Sequence, residues 1–333
     1  MSSELATDLR SLLTTAIGNP PGAPALLLAD RGSALARALA DGYRQARPDA
    51  ACLDVDLVPE AEVRATIDAL PQGALVVLVA TSRFDLGEVR FRLALFRRGL
   101  AVVEHPHLGR VPDDEIPRYL ASLAYDPDRF RGVGRAIQTR VDAASRIEIT
   151  TPEGRAEWRG PFEPARLNVG DYAEMANIGG QFPIGEAFTE PVDLEALNGT
   201  LGLFAYGAAD FSVAFVEPFA LVLERGRVLD APGAPADFLT ILDAIRADEG
   251  EVWVRELGFG LNPALTATER LSDVSAYERM TGVHLSLGAK HSVYPKAQFK
   301  KKVVRYHVDV FVHAPQVRIG EELVFDAGRW LVG

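Results

Sequence analysis

Ala25-Leu26-Leu27-Leu28-Ala29-Asp30 is a short apolar run closed by a carboxylate, and the residues after it, Gly32 to Ala46, place leucine and alanine at helical intervals. A strand buried on both faces and then an amphipathic helix is the natural reading. The pattern recurs as Cys52 to Val58 with Glu60 to Leu70, as Ala74 to Ala80 with Gly87 to Arg98, and as Leu100 to Glu104. Strands alternating with helices imply right-handed crossovers and a doubly wound parallel α/β sheet, Rossmann-like or flavodoxin-like, over residues 1–145. Such sheets bind ligands beyond the carboxyl ends of their strands, where Asp30, Thr81, Ser82, Arg83 and Glu104-His105-Pro106-His107 would gather. No glycine-rich phosphate fingerprint follows the first strand, and Gly132-Val133-Gly134 lies in a helical stretch, about Arg129 to Ala144, which argues against nucleotide binding.

From Arg146 the texture changes. Short alternating runs, Arg146 to Thr150 and Arg155 to Arg159, flank the turn Thr151-Pro152-Glu153-Gly154, so a β-rich α+β domain is expected over 146–333. Further β segments follow from Gly199 to Val228, then a helix near Ala236 to Ala247. The glycine-rich loop Asn177 to Gly185 delivers Glu186 to an apolar segment, and Val252 to Pro263 carries a second carboxylate, Glu256, in a strand. A carboxylate so placed is costly unless paired or bound to something. Glu256 has a purely structural alternative, a pair with its neighbour Arg255 or with another arginine.

Near the C-terminus, His284-Leu285-Ser286-Leu287-Gly288 and Tyr306-His307-Val308-Asp309-Val310 supply metal-ligand side chains. In a strand, His307 and Asp309 leave the same face. An imidazole and a carboxylate suit iron, zinc or manganese, and His284 as a third group would complete a facial triad of two histidines and one carboxylate. Without a metal, His307 reads as a half-buried strand histidine paired with Asp309.

Composition bounds the function. The chain has 333 residues, 48% of them hydrophobic, enough for two cored domains, and its net charge of −11 disfavours nonspecific nucleic-acid binding. The only locally basic stretch, Lys296 to Lys302, reads as a solvated turn. A single cysteine, Cys52, the lack of a basic-then-apolar leader and the lack of an apolar run of membrane-spanning length suggest a cytoplasmic protein.

The order Gly185-Glu186-Ala187-Phe188, Glu256-Leu257-Gly258-Phe259-Gly260-Leu261-Asn262-Pro263, His284 to Gly288 and His307-Val308-Asp309 resembles the aminopeptidase T type of metallopeptidase and the shorter 2,5-dihydroxypyridine dioxygenases. The likeness spans about residues 145 to 333. It implies Glu186, Glu256, His284, His307 and Asp309 as metal ligands, two metal ions in the peptidase branch, and one ferrous ion held by two histidines and an aspartate in the dioxygenase branch. Two positions depart from the peptidase pattern: Arg279, beside Glu278, stands where a functional glutamate is expected, and His291 where a tyrosine is. Glu278, Glu186 and His291 are then the candidate catalytic groups. The resemblance favours a mononuclear ring-opening dioxygenase using a divalent metal, Fe(II) before zinc, cobalt or manganese, on a small hydroxylated aromatic. Its alternatives are a non-hydrolytic peptide-binding protein serving peptide modification and a metallo-aminopeptidase. A homodimer is expected.

Overall fold

The computed structural model describes residues 2–84, 91–173, 175–300 and 304–333. Residues 87–90 of the expected helix and 301 and 302 of the basic turn lie outside the described residues. The chain forms two compact units, Met1–Arg131 with Gly170–Ile184, and Gly132–Val169 with Gly185–Gly333. It therefore passes between units near residues 131, 169 and 184, whereas the change of texture in the sequence marks one place, near 145.

The described strands are, in chain order, β1 (Ala25–Ala29), β2 (Ala51–Asp54), β3 (Leu75–Val79), β4 (Ala101–His105), β5 (Arg146–Thr151) and β6 (Gly154–Arg159). Then come β7 (Arg166–Asn168), β8 (Gly179–Gln181), β9 (Glu186–Thr189), β10 (Leu197–Gly207), β11 (Val213–Glu224) and β12 (Arg227–Asp230). The last are β13 (Val254–Gly260), β14 (Gly282–Leu287), β15 (Val308–Val312), β16 (Gln316–Ile319), β17 (Glu322–Asp326) and β18 (Arg329–Trp330). The α-helices are α1 (Ser2–Leu12), α2 (Ala34–Ala46), α3 (Glu60–Asp68), α4 (Phe91–Arg97), α5 (Ile116–Ala121), α6 (Pro127–Ala143), α7 (Ala236–Glu249) and α8 (Val274–Tyr277).

In the first unit, β2-β1-β3-β4-β8 form a five-stranded parallel sheet. Alternate residues of its central strands serve opposite faces. Leu26, Leu28, Val76, Leu78 and Val102 join Val63 and Ile67 of α3 and Phe91 and Leu95 of α4 in one core. Helix α2 packs on β1 and β3 and against α1. Ser33 starts α2 by accepting the Ala36 N–H, a cap that satisfies one otherwise orphaned donor.

His105 ends β4 in the core rather than in a ligand cleft. It is fully buried, its Nε2 lies 2.7 Å from the Tyr43 hydroxyl and its Nδ1 3.1 Å from that of Tyr119. Burial pushes its imidazole down to about 3, so it is neutral at ordinary pH. Asp30 is likewise engaged within the unit, accepting the Thr81 N–H at 2.7 Å and the Thr81 hydroxyl at 2.5 Å.

The second unit is a 13-stranded antiparallel sheet in the order β18-β17-β16-β5-β6-β10-β15-β14-β13-β9-β7, with β11 and β12 continuing from β10. Its segment β9-β13-β14-β15 has two unlike faces. One carries Ala187, Leu257, Phe259, Val283, Leu285 and Val310, all buried. Trp330 closes over part of it, its ring 5.8 Å from Phe259 and its indole N–H donated to the Gly260 carbonyl. The opposite face carries the ionisable groups described next. No described helix is long and apolar enough to cross a membrane.

Candidate metal centre

His284-Leu285-Ser286-Leu287 alternates as a strand should, so Leu285 and Leu287 enter the core while His284 and Ser286 face the other way. Register does the rest. His284 stands opposite Gly258 on one side and Phe311 on the other; Glu186 stands opposite Gly260; Asp309 stands opposite Ser286. A register irregularity between Val254 and Leu257 alters the run that holds Arg255 and Glu256, and the Ser286 hydroxyl accepts the Glu256 N–H at 3.0 Å. Local bulges of this kind re-aim side chains beside functional sites.

Two glycines make the space. A Cβ on Gly258 would overlap the His284 ring, and one on Gly260 would overlap the Met280 carbonyl. The imidazole can therefore lie across β13, and the chain at Arg279 and Met280 can press against the same strand.

The result is a buried group of three: Glu186, Glu256 and His284 each offer a ligand atom within 4.8 Å of the others. His284 Nε2 lies 3.2 Å from Glu186 Oε1 and 3.3 Å from Glu256 Oε1. One N–H can be aimed at only one of two acceptors, whereas a cation shared by all three atoms serves each of them. One imidazole and two carboxylates are also a donor set that first-row divalent ions accept. The residues fit a metal ion.

Their electrostatics agree with that charge demand. Burial alone would lower His284, but the carboxylates of Glu186 and Glu256 raise it well above its ordinary value. Burial would raise Glu256, yet hydrogen bonds from His284 and His291 hold it well below the usual carboxylate range. Burial outweighs the nearby Arg279 and pushes Glu278 up to about 8, with the charges of Glu186 and Asp309 adding to the rise.

The remaining candidates surround this group. His307 and Asp309 do meet, Nε2 to Oδ1 at 3.2 Å, and His307 Nδ1 lies 3.2 Å from the Lys290 carbonyl. Burial opposes the His307 charge, but Asp309, Glu256 and Glu278 raise it to about 10. The close trio thus contains Glu186 and Glu256 with His284, while His307 and Asp309 form a neighbouring pair. His291 sits in the loop after β14. Its Nδ1 accepts the Val293 and Tyr294 N–H groups at 3.2 and 3.4 Å, so the proton is on Nε2, which donates to Glu256 Oε2 at 2.8 Å. In this arrangement His291 orients the Glu256 carboxylate.

Sequence reasoning missed the groups that hold the His291 loop. Arg255 does not pair with Glu256. It is bound to Glu190, Nε to Oε2 at 2.9 Å, with both side chains essentially inaccessible at 1% and 0%. The same guanidinium donates to the carbonyls of Ala289 and of Tyr294, bracketing His291. Lys296 corrects another expectation: it is no solvated turn lysine but 8% exposed, with Nζ 2.7 Å from Glu163 and 3.1 Å from Glu190. Buried Glu249 accepts the N–H groups of Ala289, Arg305 and Tyr306, fixing the chain just before both His291 and His307. The available signal was a charged pair, Arg255-Glu256, inside an apolar strand; pairing partners distant in sequence left no trace.

The fold is shared with two solved proteins. The structure of 2,5-dihydroxypyridine dioxygenase from Pseudomonas putida KT2440 matches with a TM-score of 0.66 at 14% identity, covering 100% of this chain and 98% of that one. Wild-type AmpT, an aminopeptidase T, from Thermus thermophilus matches with a TM-score of 0.60 at 13% identity and 99% coverage of both chains. At such identities the likeness establishes the fold. No protein-family model matches the chain, and no curated protein matches it by sequence.

Proposed function

We propose that the protein is a metal-dependent enzyme of the ring-opening dioxygenase kind, holding one divalent ion, Fe(II) by preference, through Glu186, Glu256 and His284. The observation that carries this reading is the convergence of Glu186 Oε1 and Glu256 Oε1 on His284 Nε2 in a buried, antiparallel four-strand segment. The dioxygenase fold match supports the choice of reaction class. A ferrous ion bound there supplies coordination positions for a substrate's vicinal oxygens and for dioxygen.

The chain's own groups do the rest. His291 holds Glu256 in orientation through its Nε2–H. The His307–Asp309 pair sets a charged, partly exposed imidazole beside the centre, suited to the acidic hydroxyls of an aromatic diol. Glu278, whose carboxyl burial raises above its ordinary value while it accepts from Arg279 at 2.7 Å, is the group placed to exchange a proton with substrate.

The test is metal analysis of protein purified without chelator, joined to oxygen uptake with a panel of dihydroxypyridines and catechols. Iron bound to the chain with iron-dependent oxygen consumption is expected. Two zinc, cobalt or manganese ions with release of amino acids from unblocked peptides would replace this reading by the aminopeptidase one. Tight peptide binding indifferent to chelator would replace it by the non-hydrolytic binding protein.

A further inference from the structure

Arg279 brings a cation of the protein's own into the carboxylate cluster. Its Nη1 lies 2.6 Å from Glu186 Oε2 and 2.7 Å from Glu278 Oε1, and its side chain is only 9% exposed. One nitrogen therefore occupies the space between the Glu186 and Glu278 carboxylates. Glu186 is divided as a consequence: Oε2 faces the guanidinium and Oε1 faces His284.

The placement is built into the backbone. Asp273 caps the short α8 by accepting the Ala276 N–H, and Arg279 follows the helix by two residues. The Arg279 carbonyl accepts the Asn262 N–H at 2.9 Å, and the Thr281 hydroxyl donates to the Asn262 carbonyl at 2.8 Å. Gly260, the ladder partner of Glu186, has no side chain to hold this segment away. An arginine so desolvated persists only where its charge is paired, and here one partner, Glu186, belongs to the candidate metal trio and the other is Glu278.

We infer that Arg279 is a permanent cation of the site, standing in the place of a second metal ion, so that the cluster binds one divalent ion and Glu186 offers that ion a single oxygen. The inference rests on the metal-binding reading proposed above. Its physical basis is charge and space: a second divalent ion between Glu186 and Glu278 would have to displace a guanidinium held by both carboxylates. A positive charge beside Glu186 also weakens the first ion's attraction, so removing it tightens binding.

The experiment is native mass spectrometry and calorimetric titration of the full chain with excess Mn(II), for the wild type, Arg279→Gln, Arg279→Lys and Arg279→Glu, each checked for folding by thermal melt. One ion is expected in the wild type and in Arg279→Lys, one ion bound at least about tenfold more tightly in Arg279→Gln, and two in Arg279→Glu. Two ions in the wild type would overturn the inference while leaving the metal site standing, and that result needs no variant to fold. A folded Arg279→Glu that still takes one ion, or an Arg279→Gln no tighter than wild type, would overturn it as well. No ion in the wild type or in any folded variant would sink the metal-binding reading itself, and the inference with it.

Discussion

Gly258 stands opposite His284 in the β13–β14 ladder, and the missing side chain at 258 is what allows the imidazole to lie across β13 toward Glu256 and Glu186. Gly258→Ala is expected to displace the ring and cost about 100-fold or more in Mn(II) affinity, the scale seen when a ligand loses its orientation. Titration calorimetry on the folded variant checks it. Wild-type affinity in Gly258→Ala would show that His284 does not hold the ion.

Arg255 and Glu190 form a buried ion pair, Nε to Oε2 at 2.9 Å. Arg255→Met should destabilise the protein by about 3–5 kcal/mol, because among the described residues the Glu190 carboxylate keeps only Lys296, at 3.1 Å. The double variant Arg255→Met/Glu190→Leu should recover part of that loss, since the carbonyls of Ala289 and Tyr294 still lack their donor. Urea unfolding of both variants measures the coupling; strictly additive losses would refute it.

Glu249 ties Ala289, Arg305 and Tyr306 together through its two carboxylate oxygens. Glu249→Gln exchanges an acceptor oxygen for an amide donor, so either the Ala289 N–H or both those of Arg305 and Tyr306 lose their partner, at about 1–3 kcal/mol for each. Hydrogen exchange should accelerate at Ala289 or at Arg305 and Tyr306 while the amides of β1 and β3 stay protected. Unchanged protection in all three would count against the clip.

His105 gives a pH dependence remote from the metal centre. Its folded value, about 3, lies below the ordinary 6.5, so only the unfolded chain takes up the proton as pH falls between those limits. Above 6.5 the residue contributes nothing. From 6.5 downward toward 3 it should remove about 1.4 kcal/mol of stability per pH unit. His105→Gln, which cannot ionise, should show a shallower fall. Equal slopes for the two proteins in denaturant titrations at pH 6 and 4.5 would exclude the effect.

Much of the fold was legible because its signals are local. Ala25–Ala29 is a strand over the residues read as one, and α2 and α3 lie within their expected spans, since periodic burial needs no distant partner to be seen. β2 is shorter than read: it stops at Asp54, whose carbonyl accepts the N–H groups of Leu57 and Val58 in a turn. β8 escaped notice altogether. Gly179-Gly180-Gln181 has no apolar period, and it joins β4 through backbone hydrogen bonds that tolerate no side chain at 179, where a Cβ would overlap the Val102 carbonyl oxygen.

The sequence by itself determined the continuous apolar strands of the first sheet, the alternating strands that open the second and the identity of the ionisable residues, because strand period and residue chemistry are written along the chain. Only the tertiary structure decided which of them meet. His307 and Asp309, two residues apart, found each other as expected, but Glu186, Glu256 and His284 come from three strands, and Arg279 reaches Glu186 across 93 positions. The reason is register: a ladder shifted by one residue would send each of these side chains to the opposite face, and pairing between distant strands is fixed by the packed sheet as a whole rather than by any stretch within it.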